Sequence, residues 1–207
     1  ENDTNPQWRP GSQAFAFLSS RQSAGANGDG ERGAGANGGG QQIHLMDTRG
    51  GEARELFAHE TSISTFQWSP DGAYILFRAT DPEPQEDKDR KESGRDINVE
   101  DDPGRPNHLW LLDVESAEAR RVTDGDGFTV GPFDWSPDGA LVAFSATPTG
   151  RPMDSWKSDV YVTSVHDSAA VPAKMTDNPG PDANPQWSPD GQYLYYSGQH
   201  TDKYQVA

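Results

Sequence analysis

The sequence predicts an all-β fold, a β-propeller of four-stranded antiparallel blades. Two observations predict it. The pentapeptide Trp-Ser-Pro-Asp-Gly occurs at Trp68–Gly72, Trp135–Gly139 and Trp187–Gly191, with a diverged copy at Trp8–Gly11, and a motif that returns along the chain indicates a repeat architecture. Each copy is also followed by a run of β-branched and aromatic residues, as in Tyr74–Phe77, which is typical of a strand.

The pentapeptide itself predicts a hairpin turn. Ser, Pro and Gly stand at the first, second and fourth positions that a type I turn favours, and Pro presets the backbone angle φ. The Trp before each turn is expected to pack between adjacent blades, as scaffold rather than as a site. The positions assigned to this structural repeat are Trp8, Trp68, Pro70, Asp71, Gly72, Trp135, Pro137, Asp138, Gly139, Trp187, Pro189, Asp190 and Gly191.

A second pair of strand signals follows each of the first three hairpins. The predicted blades therefore span about 5–57, 64–123, 130–176 and 184–207, and the last contains only its first hairpin. About three and a half blades make an incomplete ring. Because propellers close on themselves and open blades expose strand edges, the rest of the ring is expected to come from elsewhere.

Two inserts interrupt the blades. Residues 22–40 are rich in Gly, Ala and Asn and predict a flexible loop, whereas residues 81–106 form a charged, acidic insert. Both are predicted to join the second strand of a blade to the third, so both leave the same rim. Long loops on one rim are where repeat proteins often carry function.

Composition narrows the classes of function and of site. The 207 residues carry 33 acidic and 17 basic side chains, a net charge of −16, which argues against binding nucleic acid through a basic patch. The acidity fits either a high-salt habitat or an ordinary soluble surface. The chain has no Cys, and no apolar run of about 18 residues predicts a membrane span. No cofactor is predicted, and the compartment, cytoplasm or periplasm, stays open.

No metal site is predicted. The five His residues show no pair at metal-ligand spacing. Asp124–Gly127 contains two of the residue types found in calcium loops, but further oxygen ligands at regular spacing are missing, so a turn between blades is expected there.

The chain resembles the N-terminal propeller domain of the prolyl oligopeptidase family of serine peptidases, in its acylaminoacyl-peptidase and dipeptidyl-aminopeptidase branch. The repeat alone also occurs in TolB-like propellers. The peptidase resemblance rests on the order of four segments, which are Asp96–Glu100, Asn107–Val114, Arg120–Asp126 and Phe133–Gly139. It covers the chain from Asn5 to about Tyr204.

The resemblance implies a role. In that family the propeller caps an α/β-hydrolase domain and admits short peptides to its Ser, Asp and His. This sequence has no Gly-x-Ser-x-Gly nucleophile motif, so no catalytic residue is predicted here, and the hydrolase domain and the rest of the ring are expected partners. The alternative is a non-enzymatic, TolB-like propeller that acts as a protein-interaction module.

The acidic insert holds the substrate-binding candidates. In dipeptidyl aminopeptidases a propeller segment supplies carboxylates that bind the free α-amino group of the substrate, and a protonated amine in a partly desolvated pocket needs a hydrogen-bonded opposite charge. A solvated, charged loop is the alternative explanation of this segment. The candidates in the corresponding region are Glu92, Asp96, Glu100, Asp101 and Asp102.

Overall fold

The computed structural model describes residues 3–21, 40–93, 104–125 and 127–199, apart from the side chains of Lys91 and Glu92. Blade 1 pairs β1 (Thr4–Trp8), β2 (Ala14–Ser19), β3 (Gln42–Asp47) and β4 (Arg54–Phe57) in sequential antiparallel order. Blade 2 does the same with β5 (Ile63–Trp68), β6 (Tyr74–Thr80), β7 (Asn107–Asp113) and β8 (Ala119–Arg121).

Blade 3 contains β9 (Thr129–Trp135), β10 (Leu141–Thr147), β11 (Asp159–Ser164) and β12 (Ala173–Lys174). Blade 4 is described as the hairpin of β13 (Asp182–Trp187) and β14 (Leu194–Gly198). Two short helices, α1 (Gln85–Glu92) and a 3₁₀ helix (Pro152–Lys157), lie in connections between strands. The predicted all-β fold with four-stranded antiparallel blades is confirmed.

The Ser-Pro-Asp-Gly turns share one hydrogen-bond pattern. In the first full copy the Gly72 amide donates to the Ser69 carbonyl (2.9 Å), which closes the four-residue turn, and Gly72 has a φ of +69° that favours glycine. The Ser69 hydroxyl donates to Asp71 (2.5 Å) and accepts the Tyr74 amide (2.9 Å). The other two full copies have the same pair of contacts. The Ser136 and Ser188 hydroxyls donate to Asp138 and Asp190 (2.6 Å in both), and each hydroxyl accepts a backbone amide at 2.9 Å. The motif is therefore a self-contained turn.

Neighbouring blades bury a shared apolar layer. Because side chains alternate along a strand, each blade turns one set of residues toward the blade before it and the other set toward the blade after it. The layer between blades 1 and 2 contains Ala16, Leu18, Ile43, Ile63, Phe66, Trp68, Ile75, Phe77, Ala79 and Leu112. The layer between blades 2 and 3 contains Leu76, Leu109, Leu111, Val130, Phe133, Trp135, Val142, Phe144, Ala146 and Val165.

Hydrogen bonds also link the first strands of neighbouring blades. Each involves the residue just before the motif Trp. Gln7 donates to the Phe66 carbonyl (2.5 Å), and Gln67 donates to the Phe133 carbonyl (3.0 Å). Asp134 accepts the Trp187 amide (2.8 Å) instead, and burial raises the pKa of this carboxyl. One contact of this kind thus joins each pair of neighbouring blades.

The motif tryptophans differ in how far they are buried in this chain. Trp68 and Trp135 are only 7% and 6% exposed, whereas Trp8 is 64% exposed. Trp68 and Trp135 face the preceding blade, and no described residue forms a blade in front of Trp8. Trp187 lies between these cases and is half-buried against blade 3.

Candidate functional site

The candidate site is one rim of the propeller, where second strands connect to third strands. These connections are 20–41 in blade 1, 81–106 in blade 2 and 148–158 in blade 3. Because the strands are antiparallel, these connections leave the edge of the blades opposite to the Ser-Pro-Asp-Gly turns. We call this edge the insert rim. The strands that bound both predicted inserts end at this rim, whereas residues 22–39 and 94–103 are outside the described part of the chain.

The 81–106 insert begins with a helix that the sequence reasoning missed. Helix α1 starts directly after Pro84 and has no apolar face, so hydrophobic periodicity gives no signal for it. Its Gln, Glu, Lys and Arg residues are nevertheless good helix formers, and Pro at a helix start is favourable. Gln85 donates to Asp89 (2.7 Å) and Arg90 pairs with Asp87 (2.9 Å), which stabilises the exposed turns.

A cluster around Asp81 holds both ends of this insert. The Asp81 carboxylate pairs with Arg121 of β8 (2.9 Å) and lies 3.7 Å from the His108 imidazole of β7. Arg105, at the far end of the insert, donates to the Asp81 carbonyl (2.6 Å). Arg121 also lies over the Trp110 ring, 5.6 Å from its centre, so the ion pair is packed as well as charged.

Sequence reasoning missed this Asp81 cluster. Asp81 and Arg121 are 40 residues apart and belong to no motif. Their contact follows only from the register of β6, β7 and β8, in which Thr80 lies opposite Asn107 and Trp110 lies opposite Arg121. The cluster fixes where the insert leaves the blade.

The predicted substrate-binding residues follow this helix. Glu92 is the last residue of α1, but its side chain is outside the description, and so are Asp96, Glu100, Asp101 and Asp102. Their role in binding an amine stays a prediction. The described residues show only that the chain entering this acidic segment is helical and that the chain leaving it is tied to Asp81.

The third connection of the insert rim carries apolar side chains. In the 3₁₀ helix Pro152–Lys157, Met153 is 78% exposed and Trp156 is partly exposed. Asp154 accepts hydrogen bonds from Lys157 (2.7 Å) and Thr149 (2.5 Å), which lower the pKa of its carboxyl. The sequence reasoning did not single out this connection, although a Trp outside the repeated motif was a usable signal.

The described residues contain no candidate metal site. In 3–21, 40–93, 104–125 and 127–199, no group of three or more His, Asp or Glu side chains is arranged to hold a metal ion. In the predicted turn after blade 2, the Gly125 amide donates to the Asp124 side chain (2.8 Å), and that carboxylate also contacts Arg121 (3.1 Å). Asp126 lies outside the described residues.

A cavity of about 540 Å³ opens on the face of blade 1 that points away from blade 2. Phe15, Phe17, His44 and Met46 line its floor, and Arg21 lies over the Phe17 ring at 5.3 Å. His44 is fully buried, and burial lowers its pKa, so the imidazole is neutral at pH 7. Within the described residues neither of its ring nitrogens has a hydrogen-bond partner.

Comparison with known proteins supports the propeller fold. No model of a known protein family matches the chain. The chain is 30% identical over 176 residues to the uncharacterized peptidase YuxL of Bacillus subtilis, an alignment that covers 78% of this chain and 24% of YuxL. It is 30% identical over 164 residues to the uncharacterized protein Atu1656 of Agrobacterium fabrum, covering 79% of this chain and 45% of that protein. The chain thus spans about a quarter of the length of YuxL and less than half of the length of Atu1656.

Solved structures give the same fold at lower sequence identity. A prolyl endopeptidase structure matches 96% of this chain and 26% of its own, with a TM-score of 0.53 and 17% identity. The acylaminoacyl peptidase of Pyrococcus horikoshii matches 86% and 25% (TM-score 0.53, 16% identity), and a TolB-like protein of Agrobacterium tumefaciens matches 96% and 60% (TM-score 0.54, 18% identity). The matched regions are β-propeller domains of peptidases and of TolB.

One further observation concerns membranes. Among the described helices, none is long and apolar enough to cross a bilayer.

Proposed function

We propose that this chain is the propeller part of a serine peptidase that hydrolyses short peptides, in which the propeller limits access to the active site and selects substrates. The observation that carries the proposal is the similarity to the peptidase YuxL, which extends over most of this chain but over only 24% of that protein. The remainder of a protein of that size has room for an α/β-hydrolase domain with a catalytic Ser, Asp and His. This chain then contributes no catalytic residue.

The insert rim is the part of this chain that would meet the peptide. The rim combines an acidic insert, anchored through Asp81, with the exposed side chains of Met153 and Trp156. Negative charge attracts a protonated amino terminus, and exposed apolar side chains suit contacts with a peptide or with a second domain. Among the described residues, the rim of the Ser-Pro-Asp-Gly turns has no comparable insertion.

Within this proposal the acidic insert binds the free α-amino group of the substrate. The carboxylates concerned are Glu92, Asp96, Glu100, Asp101 and Asp102. A carboxylate that hydrogen-bonds an ammonium group in a partly desolvated site binds more strongly than a neutral acceptor does. Helix α1 and the Asp81 cluster support the idea because they hold both ends of the segment in place.

Fluorophosphonate labelling tests the peptidase proposal. The intact source protein is expected to react with a fluorophosphonate probe at one Ser, since such probes modify activated serine nucleophiles. The 207-residue chain alone, which lacks Gly-x-Ser-x-Gly, is the matched negative control. An intact protein that stays unlabelled and leaves dipeptide substrates uncleaved would rule the proposal out.

Charge-neutral substitutions test the amine-binding role separately. In the intact protein, Glu92→Gln and Glu100→Gln are expected to lower kcat/KM about tenfold or more for substrates with a free amino terminus, from loss of a charge-assisted hydrogen bond. Amino-blocked substrates should be unaffected. The matched control is Glu115→Gln, an exposed carboxylate in the turn between β7 and β8, on the opposite rim. Unchanged kinetics in both variants would assign the insert to a solvated loop.

A second candidate function is a non-enzymatic interaction module. The observation that favours it is the TolB-like protein of Agrobacterium tumefaciens, of which this chain covers 60%, a larger share than of the peptidase structures. In that case the insert rim binds a protein partner. A source reading frame that ends soon after the propeller closes, without Gly-x-Ser-x-Gly, would favour this function over the peptidase.

A further inference from the structure

Arg78 of β6 is unusual among the arginines that the structure describes. Four other described arginines are partly buried, and each lies against a carboxylate, a carbonyl oxygen or an aromatic ring. They are Arg9, Arg21, Arg120 and Arg121. Arg78 is also partly buried, yet within the described residues its guanidinium makes a single polar contact, from Nε to the Ser64 hydroxyl (3.0 Å). Both Nη groups are therefore left without an acceptor on the described part of the chain.

The Arg78 guanidinium carries a positive charge that no described group compensates. Burial lowers the pKa of Arg78, and no described carboxylate offsets this effect. The group is nevertheless protonated at neutral pH, because the pKa of a guanidinium lies far above 7. A partly desolvated charge is costly unless an opposite charge or hydrogen-bond acceptors face it. The position therefore suits an anion that comes from elsewhere.

The repeat shows that the blade does not need a cation at this position. Counted from the motif Trp, the equivalents of Arg78 in the other blades are Leu18, Ser145 and Ser197. Leu18 and Ser145 are both buried, and Ser145 donates to the Pro132 carbonyl of its own blade (3.4 Å). A small or apolar side chain thus satisfies the fold here. The arginine of blade 2 departs from the repeat without any partner in the scaffold to account for it.

Arg78 and Ser64 lie at the inner edge of blade 2. The first strands of neighbouring blades hydrogen-bond to each other, so they are the inner strands and border the central channel of the propeller. Ser64 is exposed on β5, beside a bulge where the register with β6 shifts. Arg78 lies near the end of β6 that leads into the 81–106 insert. The pair is therefore found where the channel opens on the insert rim.

We propose that Arg78 and Ser64 form a carboxylate-binding site at this mouth of the channel, which takes the C-terminal carboxylate of a short peptide. Ser64 holds Nε and also donates to the Arg78 carbonyl (3.1 Å), so the guanidinium is fixed at its base. The two Nη groups are left to donate to the two carboxylate oxygens, the planar pairing for which arginine is suited.

The charge of the chain favours a peptide over a free anion. A net charge of −16 repels inorganic anions, whereas a short peptide also carries a protonated amine that the acidic insert attracts. The inference rests on the proposed function, in which a short peptide is the substrate and the acidic insert binds its amino terminus. It adds recognition of the opposite end of the same peptide, so that both termini select for short substrates.

Titration calorimetry with matched peptides tests the site. Alanine peptides of about three to five residues, each as the free acid and as the C-terminal amide, are titrated into the intact source protein after fluorophosphonate treatment, which blocks an activated serine. The free acids are expected to bind about tenfold or more tightly than the amides, from hydrogen bonds to a charged group. Arg78→Gln should remove this preference by weakening the acids alone. Arg78→Lys keeps the charge without the planar donors, so it should retain part of the preference.

The matched control is Arg54→Gln, which removes the same charge from an exposed position on the outermost strand of blade 1 and should leave the preference unchanged. Circular dichroism melting establishes that each variant folds, and Arg78→Lys serves alone if Arg78→Gln does not. Failure of the peptidase proposal shows separately, as a protein that the fluorophosphonate does not label. The carboxylate site is overturned if no peptide binds, if acids and amides bind equally, if Arg78→Gln weakens both alike or neither, or if Arg54→Gln has the same effect.

Discussion

Blades 1 and 2 present the same face to different surroundings. In blade 2 this face contains Trp68, which is 7% exposed and whose indole donates to the Gln7 carbonyl (3.2 Å). In blade 1 the equivalent Trp8 is 64% exposed and packs edge-on against Phe15 of its own blade, with ring centres 5.6 Å apart. The same residue at the same point of the repeat therefore stabilises the fold only where a preceding blade covers it.

The largest difference in stability is expected when each of the two tryptophans is replaced by alanine in a separate variant. In this chain Trp68→Ala should lower the free energy of unfolding by about 3–5 kcal/mol, because it leaves a cavity in the layer between blades. Trp8→Ala should cost less than about 1 kcal/mol, as expected for an exposed side chain. Chemical denaturation followed by circular dichroism measures both.

The same two substitutions in the intact source protein provide a second test. If a further blade covers Trp8 there, the cost of Trp8→Ala should approach that of Trp68→Ala. Equal costs in the 207-residue chain itself would contradict the comparison, since they would mean that Trp8 is buried without a preceding blade.

The sequence was sufficient for the repeated parts of the fold. The runs after each Trp locate the second strands, and Ser-Pro-Asp-Gly predicts turns because it contains its own hydrogen-bond partners, such as Ser136 and Asp138. The exposure of Trp8 was not predictable in this way. Its copy of the motif resembles the others locally, and its burial depends on a blade that the local sequence does not describe.

The candidate site was less predictable for two different physical reasons. Helix α1 has charged residues on all sides, so it lacks the apolar stripe by which helices are recognised. The Asp81–Arg121 ion pair depends on strand register, which brings residues together that no motif connects. The placement of the inserts between second and third strands was inferred instead from the order of strand signals. In the structure, residues 20–41 separate β2 from β3, and residues 81–106 separate β6 from β7.

A medium effect is expected from the hydrogen bonds between first strands. Gln67 donates to the Phe133 carbonyl of the next blade (3.0 Å), whereas the equivalent Gln186 is exposed on the open face of blade 4. Gln67→Ala should lower the free energy of unfolding of this chain by about 0.5–1.5 kcal/mol, the net value of a typical hydrogen bond. Gln186→Ala should change it by less than about 0.5 kcal/mol. Urea denaturation of the two variants provides a matched pair, and a larger cost at Gln186 would show that its face is covered.

The smallest effect concerns the turns, and it compares the three full motifs with the diverged copy at Trp8–Gly11, which has no Asp. Hydrogen bonds from the Ser hydroxyl lower the pKa values of Asp71, Asp138 and Asp190 below the ordinary 3.8. A carboxyl whose pKa is lower in the folded state stabilises the fold above its unfolded pKa, and this contribution is lost as the pH falls through the folded pKa. The triple variant Asp71→Asn, Asp138→Asn, Asp190→Asn should therefore show a flatter fall in stability from about pH 5 to pH 2 than the unchanged chain.

The control for this pH experiment must remove the same charge without touching a turn. Glu52→Gln, Glu115→Gln and Glu118→Gln together do so, since all three carboxylates are exposed and none is part of a Ser-Pro-Asp-Gly turn. Both triple variants relieve the repulsion within a chain of net charge −16 to the same extent. Only the turn variant should lose the acid-range slope that comes from the Ser–Asp contacts. If both variants flatten the pH profile equally, general charge repulsion rather than the turn geometry governs acid stability, and the three full motifs then have no electrostatic advantage over the copy that begins at Trp8.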